Sequence, residues 1–227
     1  MSEKLLESIE VETAPKPAAS VIWMHGLGAD GNDFVPIVHE LDLQGAPAIR
    51  FVFPHAPMQP VSINNGYVMR AWYDVKWGDL EGRSKEPDEK GVRASQAAIG
   101  ALIEREISRG ITADKIVLAG FSQGGAIALQ TALRYPQKLG GVMALSTYLP
   151  LAESFASEAA ADNRKTPIFM AHGTEDAVIQ PAMGARSRDV LTEADYDVEW
   201  HDYPMAHSVC LPEIGDIAAW LKRTLES

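Results

Sequence analysis

The 227-residue sequence contains a single cysteine, Cys210, and no apolar run near the roughly 20 residues that a membrane helix requires. One cysteine cannot form an internal disulfide, and the N-terminal residues lack the apolar stretch of a signal peptide. We therefore expect a cytoplasmic protein without stable membrane insertion. Positive charge is also scarce, since 20 Lys and Arg oppose 31 Asp and Glu for a net charge of −11, which disfavours nucleic acid as a partner. The six histidines show no metal-ligand spacing, so no metal is expected.

Apolar segments rich in β-branched residues alternate with helical patterns along the chain. This alternation predicts an α/β fold, and the continuous apolar runs predict a mostly parallel central sheet with helices on both faces. The length suits one domain, 1–227, with its own core. The predicted strands are Ser20–His25, Ile49–Pro54, Lys115–Ala119, Gly141–Leu145, Pro167–His172 and Asp197–Tyr203. The predicted helices are Asp33–Leu43, capped by Asn32 or Asp33, then Gly91–Arg109, and a last helix that begins near Pro212 and Glu213.

The segment Gly120-Phe-Ser-Gln-Gly124 follows an apolar run and precedes a helical stretch of small residues. That context is typical of a nucleophile elbow, a sharp turn between strand and helix that exposes a serine above the sheet. Gly120 and Gly124 are expected where a Cβ would clash between the strand and the helix. An ordinary serine in a glycine-rich turn is the alternative. The context favours Ser122 as a nucleophile.

A serine nucleophile needs a histidine base, which in turn needs a carboxylate to orient it. In hydrolases built on such sheets the chain order is serine, acid, histidine, which Asp176 and His207 satisfy. Both lie in turns after predicted strands, where parallel sheets gather their sites. Glu175 is the alternative acid, and Asp176 is otherwise a capping aspartate. His201 is the alternative base, although it lies within a strand pattern.

A tetrahedral intermediate also needs donors for its oxyanion. We expect one from the backbone N–H of Gln123, after the nucleophile, and one from Leu27, in the glycine-rich loop after the first main strand. An ordinary turn is the alternative for that loop. His25 and His172 are expected to brace loops.

The aromatic segment 61–80 places much apolar surface in a region without helical periodicity. We interpret it as a flap that lines an acyl-binding groove, with Met69 as an adaptable contact and Trp72 as a rigid wall. The alternative is that these rings only cap the edge of the core.

Seven stretches of the chain, in order, resemble the phospholipase/carboxylesterase family, which includes the acyl-protein thioesterases and small bacterial carboxylesterases. The stretches are residues 25–34, 54–57, 72–74, 119–126, 145–150, 172–176 and 205–208. The resemblance implies an α/β-hydrolase fold, the triad Ser122, Asp176 and His207, an oxyanion hole from Leu27 and Gln123, and no cofactor. It also implies hydrolysis of apolar acyl esters or thioesters, with Tyr148 of the fifth stretch at the substrate. Arg70 departs from the family, where similar sequences often carry proline.

The sequence therefore predicts a serine carboxylesterase or acyl thioesterase that acts through an acyl-enzyme on small-molecule or acylated-protein esters. The alternative is a non-catalytic protein that uses the same fold to bind a lipid or acyl peptide. A homodimer is possible, because a second subunit would cover the aromatic flap.

Overall fold

A seven-stranded sheet forms the centre of the computed structural model, which describes residues 5–79 and 87–226. The strand order is β1-β3-β2-β6-β7-β8-β9; β1 is antiparallel to β3 and the other neighbours are parallel. The strands are β1 (Ser8–Glu12), β2 (Ala19–Met24), β3 (Ile49–Pro54), β6 (Ile116–Phe121), β7 (Gly141–Leu145), β8 (Ile168–Gly173) and β9 (Val198–Tyr203). A separate hairpin is formed by β4 (Met58–Val61) and β5 (Tyr67–Arg70). The mostly parallel sheet agrees with the sequence prediction.

Helices cover both faces of this sheet. They are α1 (Ile37–Glu40), α2 (Glu89–Ser108), α3 (Gln123–Ala132), α4 (Ala152–Glu158), α5 (Pro181–Glu193) and α6 (Leu211–Glu226). Alternate side chains of β2 divide between two cores: Ile22 packs with residues of α2 to α5, and Val21 packs with residues of α1 and α6. Because successive strand residues point to opposite faces, a doubly covered sheet requires the continuous apolar sequences that these strands have.

The predicted helix Asp33–Leu43 is wrong in its extent, since only Ile37–Glu40 is α-helical. The preceding residues form successive turns with bonds to the third residue back, such as Val35 N–H to the Asn32 carbonyl (3.2 Å). Pro36 lacks an N–H and occupies the N-cap position, so neither Asn32 nor Asp33 caps the helix.

The predicted flap is the β4–β5 hairpin followed by a buried segment. Tyr67 and Trp77 are exposed (70% and 79%), whereas Trp72 and Tyr73 between them are buried. Trp72 thus packs in the core, as the alternative interpretation expects, whereas Tyr67 and Trp77 do not. Residue 80, the predicted end of the flap, lies outside the described residues.

Strand β1 is fastened to the sheet edge by an ion-pair network as well as by its backbone. Glu106 of α2 is fully buried and its carboxylate accepts from Arg50 (2.9 Å), Arg105 (3.0 Å) and Arg109 (3.1 Å). Glu10 of β1 pairs with Arg105 and Arg109, each at 2.9 Å. Both oxygens of the buried Glu106 carboxylate thus contact arginine side chains, and a buried carboxylate requires such partners.

Within the described part of the chain, no helix combines the length and apolar character needed to cross a membrane.

Candidate active site

Ser122 lies at the sharp turn between β6 and α3, at the carboxyl end of the sheet. Its backbone has φ 53° and ψ −120°, a conformation that costs a non-glycine residue about 1–3 kcal/mol. Two neighbours hold it there: Ser122 N–H donates to the Leu145 carbonyl (2.8 Å), and the Thr147 hydroxyl donates to the Ser122 carbonyl (2.6 Å). The turn therefore has the geometry of a nucleophile elbow.

The glycines of the elbow permit this close approach of strand and helix. A Cβ on Gly120 would lie 2.3 Å from the backbone of Gly124, and a Cβ on Gly124 would lie 2.3 Å from the Met24 carbonyl oxygen. Neither backbone neighbour can move without displacing a strand or a helix. The prediction that a Cβ would clash at both positions is confirmed.

Asp176 and His207 are brought together from the turns after β8 and β9. His207 Nδ1 lies 2.7 Å from Asp176 Oδ2, and the carboxylate is fully buried while the imidazole keeps 16% exposure. The other oxygen, Oδ1, accepts from the backbone N–H groups of Val178 (2.8 Å) and Ile179 (2.9 Å). The carboxylate is thus fixed on both sides, and Nε2 is the ring nitrogen of His207 that the contact with Asp176 leaves for another partner.

The alternative acid and base lie elsewhere. Glu175 is exposed. His201 stacks on Phe169 (ring centroids 4.9 Å) and contacts Glu199 (2.9 Å) on β9. His172 Nε2 lies 2.9 Å from the Ile179 carbonyl oxygen, which confirms its predicted bracing role.

The loop after β2 and the start of α3 both border the site. Leu27 and Gln123 both line the cavity that contains Ser122. Gln123 is the first residue of α3, where a backbone N–H has no acceptor within its own helix. Its side chain accepts from Trp72 N–H (2.8 Å) and donates to the Tyr73 carbonyl (2.8 Å), which ties the flap segment to the elbow.

His25 braces the glycine-rich loop, as predicted. Its Nδ1 lies 2.7 Å from the Gly26 carbonyl oxygen, and its Nε2 accepts from Ala56 N–H (3.1 Å). Burial lowers the pKa of His25, so the ring is neutral and Nδ1 carries the hydrogen. The loop is also held by Gly28 N–H, which donates to the Arg70 carbonyl (2.9 Å).

Trp72 does not form the wall of the cavity, contrary to the prediction from its aromatic surroundings. It is 1% exposed, and its indole N–H donates to the His25 carbonyl (2.9 Å). Met69 packs near Gly28, with its sulfur 3.4 Å from where a Cβ on Gly28 would lie, and does not line the cavity either. The guanidinium of Arg70 donates to the Ala56 carbonyl (2.8 Å) and so stabilises the base of the hairpin.

The cavity over Ser122 has a volume of about 340 Å³. Tyr148 lines it, and so does Tyr73, a ring of the predicted flap to which the sequence assigned no role of its own. Their hydroxyl groups lie 2.9 Å apart, and both residues also border a second cavity of about 840 Å³. The cavity over Ser122 is lined by Gly26, Leu27, Ala29, Asp33, Tyr73, Val75, Phe121, Ser122, Gln123, Tyr148, Val178, Ile179 and His207.

The matches to known proteins span nearly the whole chain. Residues 6–225 match the phospholipase/carboxylesterase family. The chain belongs to this family. It is 41% identical to acyl-protein thioesterase 1 of Neurospora crassa, over 95% of this chain and 90% of that protein. It is 36% identical to carboxylesterase SOBER1 of Arabidopsis thaliana, over 91% of this chain and 90% of that protein.

A solved structure agrees with this assignment. Acyl-protein thioesterase 2 of Zea mays has a TM-score of 0.81 at 29% identity, and the match covers 96% of this chain and 99% of the maize chain. The family and the α/β-hydrolase fold expected from the sequence are therefore confirmed, as is the enzyme class, a serine hydrolase of carboxylic esters and thioesters.

Proposed function

We propose that the chain hydrolyses esters and thioesters of apolar acyl chains through an acyl-enzyme on Ser122. The observation that carries the proposal is the meeting of three distant side chains: Ser122 on its elbow and His207 line one cavity, and Asp176 contacts His207 Nδ1 at 2.7 Å. A histidine oriented in this way is the base that a serine hydroxyl requires.

In the first step, His207 Nε2 takes the Ser122 hydroxyl proton while Oγ forms a bond to the acyl carbonyl carbon. The carbonyl electron pair moves onto oxygen, and the imidazolium is stabilised by the Asp176 carboxylate. When the carbonyl reforms, the bond to the leaving oxygen or sulfur breaks and His207 returns the proton to that atom. Water then repeats the sequence on the acyl-enzyme, which releases the acid and regenerates Ser122.

The negative oxygen of the intermediate requires preorganised donors. We assign the backbone N–H groups of Leu27 and Gln123 to this role. Support comes from their position on the two borders of the cavity and from the N-terminus of α3, which carries partial positive charge. The bracing of the Leu27 loop by His25 keeps one donor in place before the substrate arrives.

The acyl chain is assigned to the apolar part of the cavity, formed by Val75, Val178 and Ile179 with the rings of Tyr73 and Tyr148. The names of the relatives, acyl-protein thioesterase and carboxylesterase, support thioesters on protein and oxoesters as the two substrate classes. Since such a cavity discriminates by roughly 1–3 kcal/mol per methylene, several chain lengths should be accepted.

Labelling with a fluorophosphonate probe tests the nucleophile directly, because the probe bonds to an activated serine. We expect labelling and p-nitrophenyl ester hydrolysis in the parent protein, and loss of both in Ser122→Ala. The exposed Ser157 of α4, which lines neither of the two cavities, provides a control as Ser157→Ala. Undiminished labelling of Ser122→Ala would refute the assignment and favour a protein that only binds acyl groups.

The predicted location and oligomeric state complete the proposal. A cytoplasmic location fits a chain with one cysteine, because disulfides are rare in the cytoplasm.

The exposed side chains of Met58, Tyr67, Val68 and Trp77 are the surface that a second copy would cover in a homodimer. Sedimentation across a concentration series, with Trp77→Gln as the comparison, distinguishes the dimer from a monomer.

A further inference from the structure

The rim of the catalytic cavity carries an acidic side chain that the proposed mechanism does not use. Asp33 lines the cavity together with Ser122 and His207, and it is exposed to solvent. Among the described residues that line this cavity, Asp33 is the only carboxylate, and lysine and arginine are absent from the lining. A substrate in the cavity therefore meets one fixed negative charge.

The hydrogen bonds that form the turn around Asp33 do not use its carboxylate. The turn around Asp33 is held by Asp30, whose carboxylate accepts from Asn32 N–H (2.7 Å) and from the Asn32 amide (3.0 Å). Asp33 contributes its backbone N–H to the Asp30 carbonyl (3.1 Å). Within residues 5–79 and 87–226, the Asp33 carboxylate takes part in no hydrogen bond or ion pair.

The surroundings of the carboxylate leave its charge uncompensated. Although the residue is exposed at the rim, partial loss of hydration raises the pKa of Asp33, and repulsion from Asp30 adds to the effect. A cation placed beside Asp33 would offset both contributions. The net charge of −11 acts in the same direction, because it attracts cationic substrates to the protein as a whole.

Two ring contacts connect the residue beside Asp33 to His207. The leaving group must be near His207, which returns the proton to it. The Phe121 ring packs against His207 (ring centroids 4.7 Å) and against Phe34 (5.7 Å), the residue next to Asp33. The proposed acyl-binding side chains Val178 and Ile179 line the same cavity. Phe121 lines it as well, and aromatic rings are common in sites that bind quaternary ammonium groups.

We propose that Asp33 selects substrates whose leaving group carries a positive charge a short distance from the scissile bond, with Phe121 as the aromatic part of that subsite. The inference rests on the proposed hydrolysis and specifies its substrate class. Two sources of substrate carry such a leaving group: a small ester of a cationic alcohol, or an acylated peptide with a basic residue beside the acylated cysteine.

An isosteric ester pair tests the small-molecule source. Hexanoylcholine and 3,3-dimethylbutyl hexanoate differ in the leaving group by a charged nitrogen in place of a carbon. The ratio of their kcat/KM values should exceed one in the parent and fall roughly threefold to tenfold in Asp33→Asn, as expected for one partly exposed charge pair. Asp33→Glu should retain most of the ratio, and high salt should reduce it by screening.

The control variant is Asp42→Asn, which removes an exposed carboxylate outside the cavity and should leave the ratio unchanged. An equal ratio in the parent and in Asp33→Asn, with both esters still hydrolysed, would exclude small cationic esters as the source while the proposed function stands. Failure of the parent to hydrolyse either ester or any p-nitrophenyl ester would instead refute the proposed function.

The peptide source is tested with S-acyl peptides that carry Lys or Gln beside the acylated cysteine. We expect the Lys/Gln ratio of kcat/KM to fall in Asp33→Asn by a similar factor. A fall in only one of the two assays supports the subsite and assigns its source, and no fall in either assay contradicts it.

Discussion

Glu213 offers the sharpest test of the energetics, because it is a carboxyl group buried without adequate partners. It lies in the first turn of α6 with no exposed surface, and its Oε1 has no hydrogen-bond partner among the residues that the structure describes. Its Oε2 accepts only a long bond from Cys210 N–H (3.4 Å). Burial raises the pKa of Glu213 from 4.5 to about 8, and repulsion from Asp216 contributes. The group is therefore protonated in the folded protein at neutral pH.

The sign of the pH dependence follows from proton binding. Between pH 4.5 and about 8 the unfolded chain has released this proton while the folded protein still holds it, so stability falls as pH rises. The slope is at most about 1.4 kcal/mol per pH unit, which accumulates to at most about 5 kcal/mol. Above the folded pKa the contribution is constant. In Glu213→Gln, which mimics the protonated acid, this contribution is absent.

Urea unfolding at pH 5 and pH 8.5 measures the effect as a difference of differences. The stability of Glu213→Gln relative to the parent should shift in favour of the variant by about 3–5 kcal/mol between the two pH values. Any pH-independent effect of the amide on the free energy of unfolding cancels in this comparison. Glu40→Gln, an exposed acid on α1, should show no such shift. A parent-to-variant difference that is the same at both pH values would refute the assignment of a buried neutral carboxyl.

Three further results are expected. Asp176→Asn should lower kcat by roughly 10⁴-fold through a misoriented imidazole, whereas Glu175→Gln should change it less than twofold; comparable losses would reassign the acid. Gly124→Ala should lower the free energy of unfolding, measured by denaturant titration, by about 2–4 kcal/mol, because its Cβ would contact the backbone of β2. Gly100→Ala on α2, where a Cβ would lie in open space, should raise that free energy by about 0.5–1 kcal/mol. Because Tyr148 borders both cavities, Tyr148→Ala should join them and extend the accepted p-nitrophenyl esters to longer acyl chains; an unchanged chain-length profile would exclude this role of Tyr148.

The central strands were predictable because parallel strands buried on both faces require continuous apolar runs, which few other structures produce. Strand β1 escaped prediction because its sequence, Ser-Ile-Glu-Val-Glu, alternates over only five residues and carries charge, as edge strands often do. The β4–β5 hairpin also escaped, although Asn65-Gly66 is a recognised hairpin signal and both residues have positive φ.

The elbow and the order of serine, acid and histidine were readable because the chemistry needs particular residue types at fixed places along the sheet. The contacts of single aromatic residues could not be predicted, because composition does not show which ring lines the cavity and which ring packs behind it. Trp72 and Tyr73 are adjacent, yet one lies beneath the site and the other lines it. Asp33, predicted as a possible cap, instead has an unused carboxylate, because Pro36 moves the start of α1.

The two edges of the sheet are protected in different ways. Strand β9 ends the sheet with charged residues such as Glu199 and Asp202, whereas β3 is buried throughout and is an interior strand only because β1 covers it. Proteolytic loss of the residues up to Glu12 would therefore uncover β3, a six-residue strand that is apolar except for Arg50, as an edge onto which another chain can add a strand. By holding β1 on β3, the ion pairs of Glu10 should prevent self-association. Loss of these ion pairs should therefore cause aggregation before it lowers catalytic activity.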